Sequence, residues 1–245
     1  MKMTFCPVGS TEAVKYAAAF LSETGTYIPT DPGSAQMLLM DVPSLNEAGQ
    51  LRSGKSSENL LATVSADTLI VGGNLDHPVF SGRPVLDLLK DPFYVAENAY
   101  LTAEAALDIA LPYLSITLRN CPVLILGWGR IGKCLAQLLR AIQADVTVAA
   151  RNIGDIAIIR ALGYQAADIY DLGSLSQYRL ILNTVPVPVM RADQAGPNSV
   201  LIDLASHRGI SGDEVIVARG LPGIHYPESS GKLIAQTIIR KEENS

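Results

Sequence analysis

The sequence predicts an α/β protein of two domains, on three observations. Short apolar runs of strand length alternate with segments of helical periodicity along most of the 245 residues. Three glycines at G-x-G-x-x-G spacing stand between one such run and a helical segment. An alanine-rich stretch near residues 98–111 reads as a connecting helix.

The glycine segment organises the rest. Residues 123–126, VLIL, form an unbroken apolar run, the pattern of a strand buried on both faces of a parallel sheet. Gly127, Gly129 and Gly132 follow, suited to a tight turn, to close approach of a pyrophosphate, and to helix–strand packing. Ile131, Cys134, Leu135, Leu138, Leu139 and Ile142 then recur on one helical stripe. A second strand over 146–150 completes a βαβ unit. The alternative, a glycine-rich turn with no ligand, lacks this strand-and-helix context. A Rossmann dinucleotide-binding domain is therefore expected, with a smaller N-terminal α/β domain before it, linked by a helix. A C-terminal helix returns to the first domain. The boundaries expected are 1–97, a connector over 98–114, the dinucleotide-binding domain over 115–228, and a helix and tail over 229–245.

The second strand also bears on the cofactor. It ends Ala149-Ala150-Arg151-Asn152, with no acid to bind a ribose 2′-hydroxyl. Arg151 lies twenty-four positions beyond Gly127, where a 2′-phosphate would sit, so NADP is favoured and NAD is the alternative. Arg151 as a solvated charge at a strand end is the plainer reading. The expected cofactor-binding set is Gly127, Trp128, Gly129, Arg130, Ile131, Gly132, Arg151, Asn152, Asn183, Thr184, Pro186 and Asp203.

Taken in order, residues 3–8 read as a strand ending in Gly9-Ser10-Thr11-Glu12, with Ser10 or Thr11 capping a helix over 13–23. With one glycine, this turn reads as an ordinary α/β connection rather than a second nucleotide site. Residues 27–32 read as a short strand and turn, and 37–42 as a strand. The polar stretch 44–58 reads as a mobile loop, 60–65 as a short helix and 68–71 as a strand. Asp91-Pro92-Phe93-Tyr94 reads as a turn leading to the connector helix, 99–111, on which Glu104 is either a solvated charge or a catalytic group. Beyond the central unit come a helix over 153–162 and strands near 165–167, 180–182, 200–203 and 215–218. A last helix over 229–240 follows, with an exposed tail, KEENS. The ends of the strands at 182 and 203 lie where open α/β sheets bind ligands.

Bulk properties restrict the partners. A formal net charge of −5 argues against nucleic acid or an acidic membrane surface. Three well-separated cysteines suit neither a disulfide framework nor a zinc site, and the three histidines have no metal-ligand spacing, so no metal is expected. With no signal peptide and no membrane-length apolar run, a reducing cytoplasm is the simplest compartment. A homo-oligomer is expected.

Several stretches in order resemble the dipicolinate synthase A-subunit family: Asn98-Ala-Tyr-Leu-Thr102-Ala-Glu104, the GWGRIG turn, Asn183-Thr-Val-Pro186, Leu201-Ile-Asp-Leu-Ala-Ser206, and Gly220-Leu-Pro-Gly-Ile224 with Pro227 and Gly231. The resemblance covers roughly residues 95–240, and the chain is similar at greater distance to 2-hydroxyacid dehydrogenases. It implies a two-domain enzyme of spore-forming bacteria that oxidises dihydrodipicolinate to pyridine-2,6-dicarboxylate with NADP, beside a flavoprotein-like B subunit. The chain departs from the family at VGSTEA, at Leu101 and Ala105, and at His207-Arg208 and His225-Tyr226. A dicarboxylate substrate wants hydroxyl and guanidinium donors, and its oxidation wants a proton acceptor. Ser206 and Arg208 are the expected donors; Glu104 and His225 are the expected base candidates. Alternatives are another 2-hydroxy or 2-oxo acid dehydrogenase, or a catalytically silent NADP-binding subunit or sensor.

Overall fold

The computed structural model of the chain describes every residue except Met1, Glu47, Ser53, Lys55, Asn244 and Ser245. It packs as two compact units, one running through Asn98 and resumed from Pro222, the other Ala99–Leu221. The first contains β1 (Met3–Pro7), α1 (Glu12–Glu23), β2 (Tyr27–Pro29), β3 (Met37–Leu39), α2 (Ser57–Ala62), β4 (Leu69–Gly72) and β5 (Val85–Asp87). The helix α3 (Pro92–Ala110) leads out of it. Its five strands are parallel in the order β2-β1-β3-β4-β5. That is a doubly wound order whose switch point falls between β1 and β3. Met37, Leu38 and Leu39 have no exposed surface, as an unbroken apolar strand at the centre of such a sheet requires.

The second unit contains β6 (Pro122–Leu126), α4 (Arg130–Ala141), β7 (Asp145–Ala150), α5 (Ile153–Ala161), β8 (Gln165–Asp168) and β9 (Leu180–Asn183). There follow β10 (Met190–Arg191), β11 (Val200–Asp203), β12 (Ile210–Ser211) and β13 (Ile216–Val217). Six parallel strands run β8-β7-β6-β9-β11-β13, the Rossmann order, and β10 pairs with β12 in a separate two-stranded ribbon. Leu124, Leu126, Ala149, Ile181 and Leu201 form the centre of one core layer. Cys134 is only half-buried and Ile142 is exposed, so the buried stripe of α4 is narrower than its sequence suggests.

The chain then forms α6 (Leu221–His225), a short helix the sequence reading does not assign, and α7 (Pro227–Glu243). The return of the last helix to the first domain is observed: α7 lies along α1 within one unit. A side chain at Gly231 would place its Cβ 2.5 Å from Tyr16 Cβ and 2.6 Å from the Ala13 carbonyl, so the two backbones approach too closely for any other residue. Leu233, Ile234 and Ile238 of α7 are buried at one helical stripe.

Two local expectations are corrected. Asp91-Pro92 opens α3 rather than a turn: the Asp91 carboxylate accepts the Tyr94 N–H at 2.9 Å, and proline suits a first helical position. Burial opposes the charge on Asp91, but the Tyr94 N–H, Lys241 and Arg240 outweigh it and hold its carboxyl at about 2. Arg240 and Lys241 reach Asp91 at 2.7 and 3.0 Å, and Glu242 accepts from the Tyr27 hydroxyl, so the start of KEENS is bound rather than free; Asn244 and Ser245 lie outside the described residues. The stretch 44–58 is a loop as read, drawn together by a Leu45–Leu51 bridge with Leu51 in the core, and its last two residues open α2. Its Glu47, Ser53 and Lys55 also lie outside the described residues. No described helix is long and apolar enough to cross a membrane.

Candidate functional site

The site is built at the switch point between β6 and β9, where neighbouring connections leave the sheet in opposite directions. Each glycine of the turn has its own reason. Gly127 has φ +107°, a conformation side chains disfavour, and a Cβ there would lie 2.5 Å from Thr184 Oγ1. A Cβ on Gly132 would lie 2.2 Å from the Gly127 carbonyl oxygen, so α4 sits directly on the turn. Gly129, the N-cap of α4, is the opposite case: a Cβ would meet nothing within 4 Å. Space is kept open where the first-turn amides of Arg130, Ile131 and Gly132 point, with the positive end of the helix dipole behind them. This arrangement can hold an anion, and its form is that of a dinucleotide's pyrophosphate site.

The second strand of the unit ends at Ala150, and Arg151 follows it, exposed. Asn152 is occupied: its Oδ1 accepts the Gly154 N–H at 2.7 Å and caps α5. Trp128 turns its ring edge-on to Tyr164, with centroids 6.1 Å apart, and Lys133 Nζ lies 5.7 Å from the Trp128 ring. These side chains border an open groove of about 400 Å³ between α4 and α5, so Trp128 contributes its backbone to the turn.

The loops after β9 and β11 are held by their own polar side chains. Asn183, fully buried, donates to the Val185 carbonyl and accepts the Val185 N–H, both at 3.0 Å. Thr184 Oγ1 donates to the Leu126 carbonyl at 2.9 Å, which seats it against the glycine turn. Pro186 is exposed beyond them. Asp203, expected among the cofactor ligands, has no exposed surface. Its Oδ2 accepts the Gly209 and Ile210 N–H groups at 2.7 and 2.9 Å, and its Oδ1 accepts from Ala205 and Arg219. It orders the loop and has no face left for a cofactor.

That loop exposes Ser206, His207 and Arg208. Arg208, expected to grip a substrate carboxylate, folds back instead: Nε donates to the Ile210 carbonyl at 2.9 Å and Nη2 donates to the Gly212 carbonyl. Ser206 Oγ lies 3.3 Å from His207 Nδ1. Glu104 is exposed midway along α3. His225 ends α6, half-buried, its ring edge-on to Tyr226 at 6.4 Å. Glu104 thus belongs to the second unit and His225 to the first. Arg219 and Gly209, which shape the loop, carry no signal in the sequence beyond position after a strand. Among the described residues no group of three or more His, Cys, Asp or Glu could hold a metal ion.

No protein-family model matches the chain. It is 27% identical over 170 residues to the dipicolinate synthase A subunit of Bacillus subtilis (strain 168), a match spanning 64% of this chain and 57% of that protein's length. The crystal structure of the dipicolinate synthase A subunit from Bacillus halodurans matches 97% of each chain with a TM-score of 0.83 at 21% identity. That of the Bacillus subtilis A chain matches 100% of this chain and 97% of its own with a TM-score of 0.84 at 18% identity. A transhydrogenase from Sinorhizobium meliloti matches 98% of this chain and 93% of its own with a TM-score of 0.72 at 14% identity. The sequence likeness to the dipicolinate synthase A subunit extends over those 170 residues, and the α/β fold with its Rossmann sheet is shared with the solved structures.

Proposed function

We propose that the chain is an NADP-linked dehydrogenase of the dipicolinate synthase A-subunit type, oxidising dihydrodipicolinate to pyridine-2,6-dicarboxylate. The observation that carries the reading is the open space at Gly129, at the head of α4 and beside the switch point. The ordered resemblance to dipicolinate synthase supplies the substrate class. The first-turn amides of α4 take the pyrophosphate, and Arg151 takes the 2′-phosphate. Residues 183–186, braced by Asn183 and Thr184, border the nicotinamide-side ribose. When bound, the nicotinamide supplies a hydride acceptor. The protein's own work is alignment: the product ring is aromatic, so the reaction has its own driving force and the loops after β9 and β11 need mainly to orient the ring. The B subunit named by the resemblance is the proposed partner, and a cytoplasmic setting is proposed with it.

The test is direct. Purified protein is titrated with NADP and NAD by calorimetry, then given dihydrodipicolinate while absorbance of the reduced cofactor is followed, with and without the B subunit. Tighter NADP binding and reduction of the cofactor support the proposal. Binding without turnover, even with the partner, makes the chain a nucleotide-binding subunit instead. Turnover of 2-hydroxy acids in place of dihydrodipicolinate would reassign the substrate.

A further inference from the structure

The loop after β11 singles out one group that neither the motifs nor the resemblance assigns. In a doubly wound sheet with its switch between β6 and β9, the strands β9 and β11 carry the half that receives the nicotinamide. The loop after β11 therefore ends near the reacting atoms. Its polar side chains are divided sharply. Asp203 is buried beneath it and takes the Ala205, Gly209 and Ile210 amides. Arg208 is turned onto the Ile210 and Gly212 carbonyls. Arg219 is drawn to the Asp203 carbonyl and carboxylate. What remains at the exposed tip is Ser206 with His207. A rigid scaffold under an exposed imidazole is the arrangement a proton-transfer group needs.

We propose that His207, on the braced loop after β11, is the catalytic base of the oxidation, with Ser206 as its positioning residue. The proposal rests on the dehydrogenase reading above. Ser206 Oγ lies 3.3 Å from His207 Nδ1; in the tautomer the proposal requires, Nδ1–H donates to that hydroxyl and Nε2 carries the lone pair that takes the proton. The ring gives up two hydrogens. One leaves with its electron pair as hydride to NADP⁺; the other leaves as a proton to His207 Nε2, and its C–H pair becomes the new ring double bond. His207 then returns the proton to water. This placement prefers His207 to Glu104, which stands exposed midway along α3.

Two measurements test it. The chain has three histidines, so three sets of imidazole NMR signals are assigned by His77→Gln, His207→Gln and His225→Gln. Adding pyridine-2,6-dicarboxylate with NADPH is expected to shift the His207 signals and leave those of His77 unmoved. Turnover of dihydrodipicolinate by His207→Gln is expected to fall about a hundredfold or more in kcat, with NADP affinity unchanged. Ser206→Ala should lower kcat several-fold with KM unchanged, and Ser206→Thr should restore it. If the wild type turns over but His207→Gln keeps its rate and the His225 signals move instead, this assignment falls while the dehydrogenase reading stands. If the wild type neither binds product nor reduces NADP, both fall.

Discussion

The chain makes the same strand–turn–helix connection twice at a switch point, and ends the two differently. In the first unit the turn between β1 and α1 is filled from within. The Asp41 carboxylate, two residues beyond β3 and 2% exposed, accepts the Ser10 and Thr11 N–H groups at 3.0 Å and both of their hydroxyls. Gly9 allows this, since a Cβ there would lie 2.8 Å from Asp41 Oδ1. Thr11 is the N-cap residue of α1, but its hydroxyl donates to Asp41 rather than capping the helix. In the second unit no side chain among the described residues plugs the turn between β6 and α4 in this way, and Gly129 faces open space. Both helices present amides to an anion at their start. In the first unit that anion belongs to the protein; in the second the place beside Gly129 is open. The difference explains why only the second turn reads as a ligand site.

The strongest way to break the comparison is to close the open turn. Gly132→Ala drives a Cβ against the Gly127 carbonyl, 2.2 Å away, and backbone cannot yield as a flexible side chain would. Stability is expected to fall by about 3 kcal/mol, with dinucleotide binding lost to calorimetry. Emptying the plugged turn is next. Asp41→Ala leaves two amides and two hydroxyls unpaired and should cost about 2–3 kcal/mol in urea unfolding. Added formate should then raise the melting temperature of the variant more than that of the wild type. If Asp41→Ala acquired NADP affinity equal to that of the glycine turn, the two turns would be equivalent and the comparison would fail. Gly129→Ala sharpens it further: with nothing within 4 Å, the melting temperature should hold. Nucleotide affinity should drop about tenfold, or about 1.4 kcal/mol.

What the sequence allowed follows the range of the interactions. The VLIL run, the three glycines and the stripe of α4 are local patterns, and strand β6, the turn and the helix appear where those patterns lie. Asp41 meets Ser10 across thirty-one residues, and Arg240 meets Asp91 across one hundred and forty-nine, so no periodicity announces either. Asp91-Pro92 shows a second difficulty, because the same dipeptide opens turns and caps helices; the buried Tyr94 and the Asp91–Arg240 pair decide for the helix. Residue type misleads in a third way. Asn152, Asp203 and Arg208 have the chemistry of ligands at strand ends, but each is committed to backbone groups beside it. Those commitments depend on loop conformation, which the sequence specifies only through the finished fold.

The finest test concerns what the open turn selects. Arg151 follows the end of β7, the strand beside β6 on the side away from β9, and makes no hydrogen bond or ion pair among the described residues. By contrast, Arg208, Arg219 and Arg240 are each tied to carbonyls or a carboxylate. A guanidinium left uncommitted at this position can take a 2′-phosphate by paired hydrogen bonds, and has nothing comparable to offer a 2′-hydroxyl. Arg151→Ala should therefore weaken NADP about tenfold and leave NAD unchanged, read as the ratio of two dissociation constants at one ionic strength. The ratio matters more than either value, because a general loss of positive charge weakens both nucleotides together. Equal weakening would leave Arg151 a screening charge and remove the preference for NADP, while Gly129 and the open turn would still select a dinucleotide.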